Sequence, residues 1–138
     1  MTPAAINQFE STAQIFKALS HPARIAILEI LRNGEECVCH LEAILGYRQA
    51  YLSQQLAVLR EAGILADRRE GWNIFYRIVH PQILQILDLS RQCLPRESQE
   101  IPLLQAEDCE CPKCKRKDTS SSGVIQNAAL KITGNQLD

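Results

Sequence analysis

Residues 48–65 read RQAYLSQQLAVLREAGIL. Leu52, Leu56 and Leu59 recur at i, i+4 and i+7, one apolar stripe of an α-helix. Gln49, Tyr51, Ser53, Gln54 and Gln55 supply a polar face rich in amide and hydroxyl groups and almost without charge. A helix that needs only solubility carries Lys and Glu on its outer side. One carrying Gln, Ser and Tyr suits a groove where base edges offer paired donors and acceptors. Arg60, Glu61 and Ala62 follow, and Gly63 stands where a helix commonly stops. The stretch is expected to be a recognition helix for DNA, with those five polar residues facing the bases.

Working upstream, Cys37 to Leu45 reads as a short helix carrying Val38, Leu41, Ile44 and Leu45, and Gly46-Tyr47 as the turn that joins the two. Two helices linked by a short Gly-containing turn form a helix-turn-helix. Before them, Pro22 to Arg32 has Ile25, Leu28, Ile30 and Leu31 around much of its circumference, the pattern of a central buried helix. Ser20 is its expected N-cap with Pro22 in the first turn, His21 a hydrogen-bonding residue at the boundary, and Asn33-Gly34 its end. Gln8 to Leu19 reads as a first helix, with Thr2 to Asn7 frayed.

Downstream, Ile64 to Glu70 and Asn73 to Val79 are two short runs of branched and aromatic residues around Gly71-Trp72, a β-hairpin signature. Helix-turn-helix followed at once by a hairpin is the winged-helix order. Arg68, Arg69 and Trp72 fall near the hairpin tip, within reach of phosphates or a minor groove. Trp72 reads equally well as a packing residue. A last helix runs from His80-Pro81 to about Leu94, with Ile83, Leu84, Ile86, Leu87 and Leu89. That is more apolar surface than a monomer of this size needs, so this helix and the first are expected to form a homodimer interface. The fold class expected is mainly α with a small β-hairpin, a homodimeric winged helix-turn-helix over residues 1–94. Residues 95–138, polar and Ser-rich, read as a mostly disordered, Cys-containing tail.

Composition bounds this reading. The 138 residues are 46% hydrophobic and 5% aromatic, which suits one modest aliphatic core. No apolar run reaches the roughly 18–20 residues needed to span a bilayer, and Met1 to Asn7 does not read as a signal peptide, so no membrane partner and a cytoplasmic location are expected. Net charge is −1, and nine basic residues balance nine acidic ones up to Leu94. DNA binding must then rest on local clustering, which only Arg68-Arg69, with Arg77 nearby, provides. Six cysteines in a reducing compartment point to metal or redox chemistry more than to structural disulfides.

The segments SHPARIAILEIL, ECVCHLEAILG, LSQQLAVLREAGIL and RREGWNIFYRI occur in an order and spacing that resembles the ArsR/SmtB family of winged-helix repressors, from about Phe9 to Cys93. The resemblance implies a homodimer that binds an inverted-repeat operator and leaves it when an inducer, often a metal or metalloid ion, binds. This chain departs from the family in the recognition helix. Arg48 stands where Ser is frequent, and Gln54 or Gln55 where His is frequent.

Cys37-Val38-Cys39 matches the family's CVC motif. Residues i and i+2 lie roughly 200° apart on a regular helix, so both sulfurs can share an ion only where the helix start is unwound. The first turn is where that is cheapest, and a helix N-terminus favours the thiolate. Thiolates select soft ions: arsenite or antimonite with three sulfurs, cadmium, lead or zinc with more. The family's arsenite pattern has a third Cys where this chain has Glu42. Its cadmium/lead pattern draws on cysteines near the N-terminus, absent here. Its last-helix zinc site needs His, and no His follows His80, so that site is rejected. Further ligands must come from Cys93, which also reads as a small apolar residue at a helix end, or from Cys109, Cys111 and Cys114 in the tail. His40 ranks below any thiol. The alternative is a thiol-redox or persulfide sensor. LSQQL and RRE…IFYR resemble that branch, and Cys93 lies near its distal sensing Cys. Its partner position falls at about Glu29, so a link from Cys37 or Cys39 to Cys93 would be the variant. A thiol enzyme built on CxCxxC is least favoured, because no oxyanion site, cofactor loop or base–nucleophile pair accompanies it.

Overall fold

A computed structural model describes residues 2–104. Cys109, Cys111, Cys114 and most of the expected tail lie outside the described residues.

The first helix, α1, spans Pro3–Leu19 and starts five residues before the expected Gln8. Pro3 sits at its first turn, where a missing N–H costs nothing and φ is already helical. The second, α2, spans Pro22–Ile30 and tightens into a 3-10 turn over Leu31–Asn33. Its N-cap is His21, not the expected Ser20: the Ala23 N–H donates to His21 Nδ1 at 3.1 Å.

Glu36–Cys37 then forms a two-residue strand, β1, which the sequence reading lacked. Cys37 is accordingly not helical. It is the extended N-cap of α3, Val38–Leu45, and its sulfur accepts from the His40 N–H at 3.2 Å. Gly46, at φ 65°, closes α3 in the left-handed region that a Cβ would strain. The expected recognition helix, α4, spans Gln49–Glu61. The wing is β2, Leu65–Glu70, and β3, Asn73–Ile78, joined by Gly71-Trp72 with Gly71 at φ 61°. The last helix, α5, spans Gln82–Gln92.

The three strands form one antiparallel sheet in the order β1-β3-β2. Leu52, Leu56 and Leu59 are at most 1% exposed and pack with Ile27, Leu28, Leu41, Ile64 and Leu65, so the stripe that marked α4 is its core face. Burying each such side chain contributes roughly 1.5–3 kcal/mol. Tyr76 joins that core, whereas its neighbour Phe75 points to the other side of the sheet and packs with Cys37 and Cys39.

Two ion pairs, Arg32–Asp88 and Arg91–Glu29, tie the end of α2 to α5. The Arg32 guanidinium meets Glu29 at 2.9 Å and Asp88 at 2.7 Å, and Arg91 binds both carboxylates as well. Glu29 is the position where the redox branch would carry a cysteine; here charge, not sulfur, joins the two helices.

Candidate functional site

The exposed side of α4 is narrower than its sequence suggests. Gln49, Ser53 and Gln54 are exposed. Tyr51 is half-buried: its hydroxyl lies 3.4 Å from His21 Nε2, and its ring stands edge-on to Tyr47 at 5.0 Å. Gln55 faces inward and is only 8% exposed. Its amide oxygen accepts from Arg24 Nε at 2.8 Å, so its expected place on the base-reading face is corrected to a buried one. Arg24 also donates to the carbonyls of Lys17 and Ala18 at the end of α1, at 3.2 and 3.0 Å. This arginine, which fixes α4 to two other helices, escaped the sequence reading. Its only signal there was a charge in the first turn of a largely apolar helix.

On the wing, Trp72 is fully exposed, so it packs against none of the described residues. Arg69 is exposed and makes no ion pair among the described residues. Arg68 is engaged differently. It binds the Glu35 carboxylate through Nε and Nη2, meets Glu70 at 3.0 Å, and lies 4.6 Å over the Phe75 ring. The hydrogen bonds to Glu35, then Glu70, hold its guanidinium still further above its ordinary high pKa. A cleft of about 180 Å³ separates the wing from α3 and α4, lined by Cys39, Glu42, Gln49, Ser53, Trp72 and Asn73.

Cys37 and Cys39 are joined by a disulfide. Their sulfurs meet because Cys37 ends a strand and Cys39 lies in the first helical turn, which removes the angular obstacle of a regular helix. Cys37 is fully buried and Cys39 half-buried. Cys93 is a free, exposed thiol whose Sγ lies 3.6 Å from the Leu89 carbonyl. It is not brought together with the other two: among the described residues no three His, Cys, Asp or Glu gather into a metal-binding group. The fit for a soft ion is therefore partial, two sulfurs without a third donor from the described chain.

The comparisons with known proteins match this geometry. The family description "Bacterial regulatory protein, arsR family" covers residues 21–67, from α2 into β2. The HTH-type transcriptional regulator Rv0081 of Mycobacterium tuberculosis is 43% identical over 89 residues, 64% of this chain and 78% of that one. Its crystal structure superposes with a TM-score of 0.57 at 42% identity, over 66% of this chain and 93% of that one. The biofilm growth-associated repressor of Agrobacterium fabrum is 42% identical over 98 residues, 70% of this chain and 84% of that one. The arsenic resistance transcriptional regulator ArsR1 of Pseudomonas putida is 47% identical over 75 residues, 54% of this chain and 58% of that one. A domain of Mb0332 from Mycobacterium bovis, described as a homodimeric winged helix-turn-helix, gives a TM-score of 0.60 at 26% identity, over 67% and 86% of the two chains. No helix among the described residues is long and apolar enough to cross a membrane. The chain belongs to the ArsR family: it is a winged-helix, DNA-binding transcriptional repressor and not an enzyme.

Proposed function

We propose that the chain works as a cytoplasmic homodimer that holds inverted-repeat operator DNA with α4 and the wing, and that the Cys37–Cys39 pair governs its release. One observation carries this reading: the two sulfurs are in bonding contact where β1 turns into α3, one short helix and a turn from α4. Ile6, Phe9 and Phe16 on α1 and Leu89 on α5 are exposed in the single chain, and they supply the apolar surface a partner subunit would cover.

The inducer is a soft ion held by the reduced pair: arsenite or antimonite, or cadmium, lead or zinc. The likeness to an arsenic resistance regulator supports this class. Cys93 or the tail thiols of either subunit supply the remaining ligands. The ion must bind the DNA-free state more tightly than the DNA-bound one, or it would shift nothing.

A second reading is favoured by the disulfide itself. Two thiols give up two electrons and two protons to hydrogen peroxide, leaving one disulfide and two waters, and the oxidised pair is the released form.

The test is an anaerobic titration of the reduced protein with arsenite or cadmium, followed by thiolate-to-metal absorption and by anisotropy of bound DNA. The ion reading expects both signals to move together at one equivalence point. Release by peroxide, with no release by either ion, selects the redox reading. If neither treatment changes DNA affinity, the thiol pair is not the sensor.

A further inference from the structure

Across the sheet, Cys37 of β1, Phe75 of β3 and Arg68 of β2 occupy one row: Cys37 is the register partner of Phe75, and Phe75 of Arg68. Directly opposed residues of antiparallel strands project to the same face. Here that face lies opposite the main core. Cys37 and Phe75 pack together there, and the Arg68 guanidinium closes over the ring at 4.6 Å. Phe75 is only 2% exposed although it lies outside the main core.

A second connection runs in parallel. Glu35, two residues before Cys37, takes the Arg68 guanidinium in a forked contact. Forked carboxylate pairing and stacking on an aromatic ring are both geometries that Arg makes and Lys does not. Arg68 is thus fixed by the residue that leads into the Cys37 strand and by the ring that packs against Cys37.

From this we infer that Arg68 is a positioning residue, which sets the wing by the state of the Cys37 strand and does not itself neutralise a phosphate. This rests on the thiol-switch reading above. β1 is only two residues long, so it is the least anchored strand of the sheet. A shift of Cys37, whether drawn toward an ion or bonded to Cys39, moves Glu35 through the backbone and Phe75 through direct contact. Both displacements reach Arg68 and swing the hairpin that carries Arg69 and Trp72 relative to α4. Arg69 remains available for phosphate.

The experiment compares wild type, Arg68→Gln, Arg68→Lys, Glu35→Gln and Arg69→Gln. The duplex is an inverted repeat selected by the wild-type protein from a random pool. Three quantities are read: arsenite and cadmium uptake by thiolate absorption, the salt slope of log K, and the ratio of dissociation constants with and without the thiol treatment (arsenite, cadmium or peroxide). Allosteric ratios run about 5- to 150-fold. Arg68→Gln and Glu35→Gln should keep wild-type uptake and slope while the ratio collapses toward one. Arg68→Lys should fail to restore the ratio despite keeping the charge. Arg69→Gln should lose roughly 0.9 from the slope and keep the ratio.

A slope reduced by roughly 0.9 in Arg68→Gln and restored by Lys, with the ratio intact, makes Arg68 a phosphate contact and overturns the inference. An unchanged ratio and slope in Arg68→Gln overturns it too. If wild type itself shows no ratio under any treatment, the thiol-switch reading fails and the inference falls with it, an outcome visible before any variant is read.

Discussion

Arg24 of α2 donates its Nε–H to the buried amide oxygen of Gln55 on α4, 31 residues along the chain, at 2.8 Å. The recognition helix is thereby held by a polar contact inside the protein as well as by its leucine stripe. Arg24→Ala would leave the Gln55 amide buried without that donor and would take the guanidinium from the Ala18 carbonyl, while the Lys17 carbonyl keeps the Ser20 N–H. A buried polar group left unsatisfied costs about 1–3 kcal/mol. Urea denaturation of Arg24→Ala should show a loss in this range; a loss below about 0.5 kcal/mol, the usual range for inconsequential surface changes, would mean that water substitutes for the guanidinium.

Gln49 and Gln54 are the exposed amides of α4. An Asn or Gln amide can make paired hydrogen bonds to adenine, worth about 1–3 kcal/mol of discrimination. Gln49→Ala and Gln54→Ala should each cost that much on the selected inverted repeat and little on random DNA. Equal losses on both duplexes in a competition assay would show that the residue only positions the helix.

Cys37→Ser with Cys39→Ser should leave folding and DNA binding near wild type, because Ser is among the best N-caps and its oxygen can accept the His40 N–H that Cys37 Sγ now accepts. The double variant should stay on DNA when arsenite, cadmium or peroxide is added. Truncation after Leu104 then sorts the ligands. A truncated protein that still responds to ion draws its third donor from Cys93 or another described residue, and one that does not draws it from Cys109, Cys111 or Cys114.

Phe9 and Phe16 are 64% and 55% exposed on α1, one side of the surface assigned to the partner subunit. Phe9→Asp with Phe16→Asp should shift sedimentation from dimer to monomer and weaken DNA binding, since two half-sites one helical turn apart need two linked recognition helices. A doubly substituted protein that still sediments as a dimer would place the interface elsewhere.

Acid should loosen the α2–α5 junction. The Arg32 hydrogen bonds, with help from Arg91, hold the Asp88 carboxyl below its ordinary value of 3.8. A carboxylate depressed by folding stabilises the fold fully above the unfolded value, and that stabilisation is lost as pH falls through the folded one. The urea midpoint of wild type should therefore approach that of Asp88→Asn as pH drops below about 4 and exceed it at neutral pH. The gap should be small, because Asp88 is partly exposed to solvent. Parallel curves for the two proteins across this range would remove Asp88 from the junction's energetics.

Several features were open to a reading of the chain alone. Leu52, Leu56 and Leu59 carry the period of a helix, Gly71-Trp72 marks a two-residue turn between branched runs, and the order of these signals is that of a winged helix. Each of them is local: side-chain periodicity and backbone permissiveness act within a few residues. The CVC motif was visible as well, together with the requirement that its helix start be unwound.

What made that start unwound was decided in three dimensions. β1 is too short to show a period and exists because Glu36 and Cys37 pair with Tyr76 and Phe75, which the hairpin brings alongside. The same fold turns Gln55 inward to Arg24 and takes Arg68 from the wing surface to Glu35, 33 residues away. Its place near the hairpin tip beside Arg69 marked Arg68 as a basic group within reach of phosphate, but an exposed arginine can face phosphate or a carboxylate of its own chain. Sequence alone determined the five helices, the turns between them and the two-stranded hairpin, because those choices depend on neighbours. Tertiary structure determined which polar side chains remain exposed and which hold the protein together, because that depends on charges and amides brought near from distant segments.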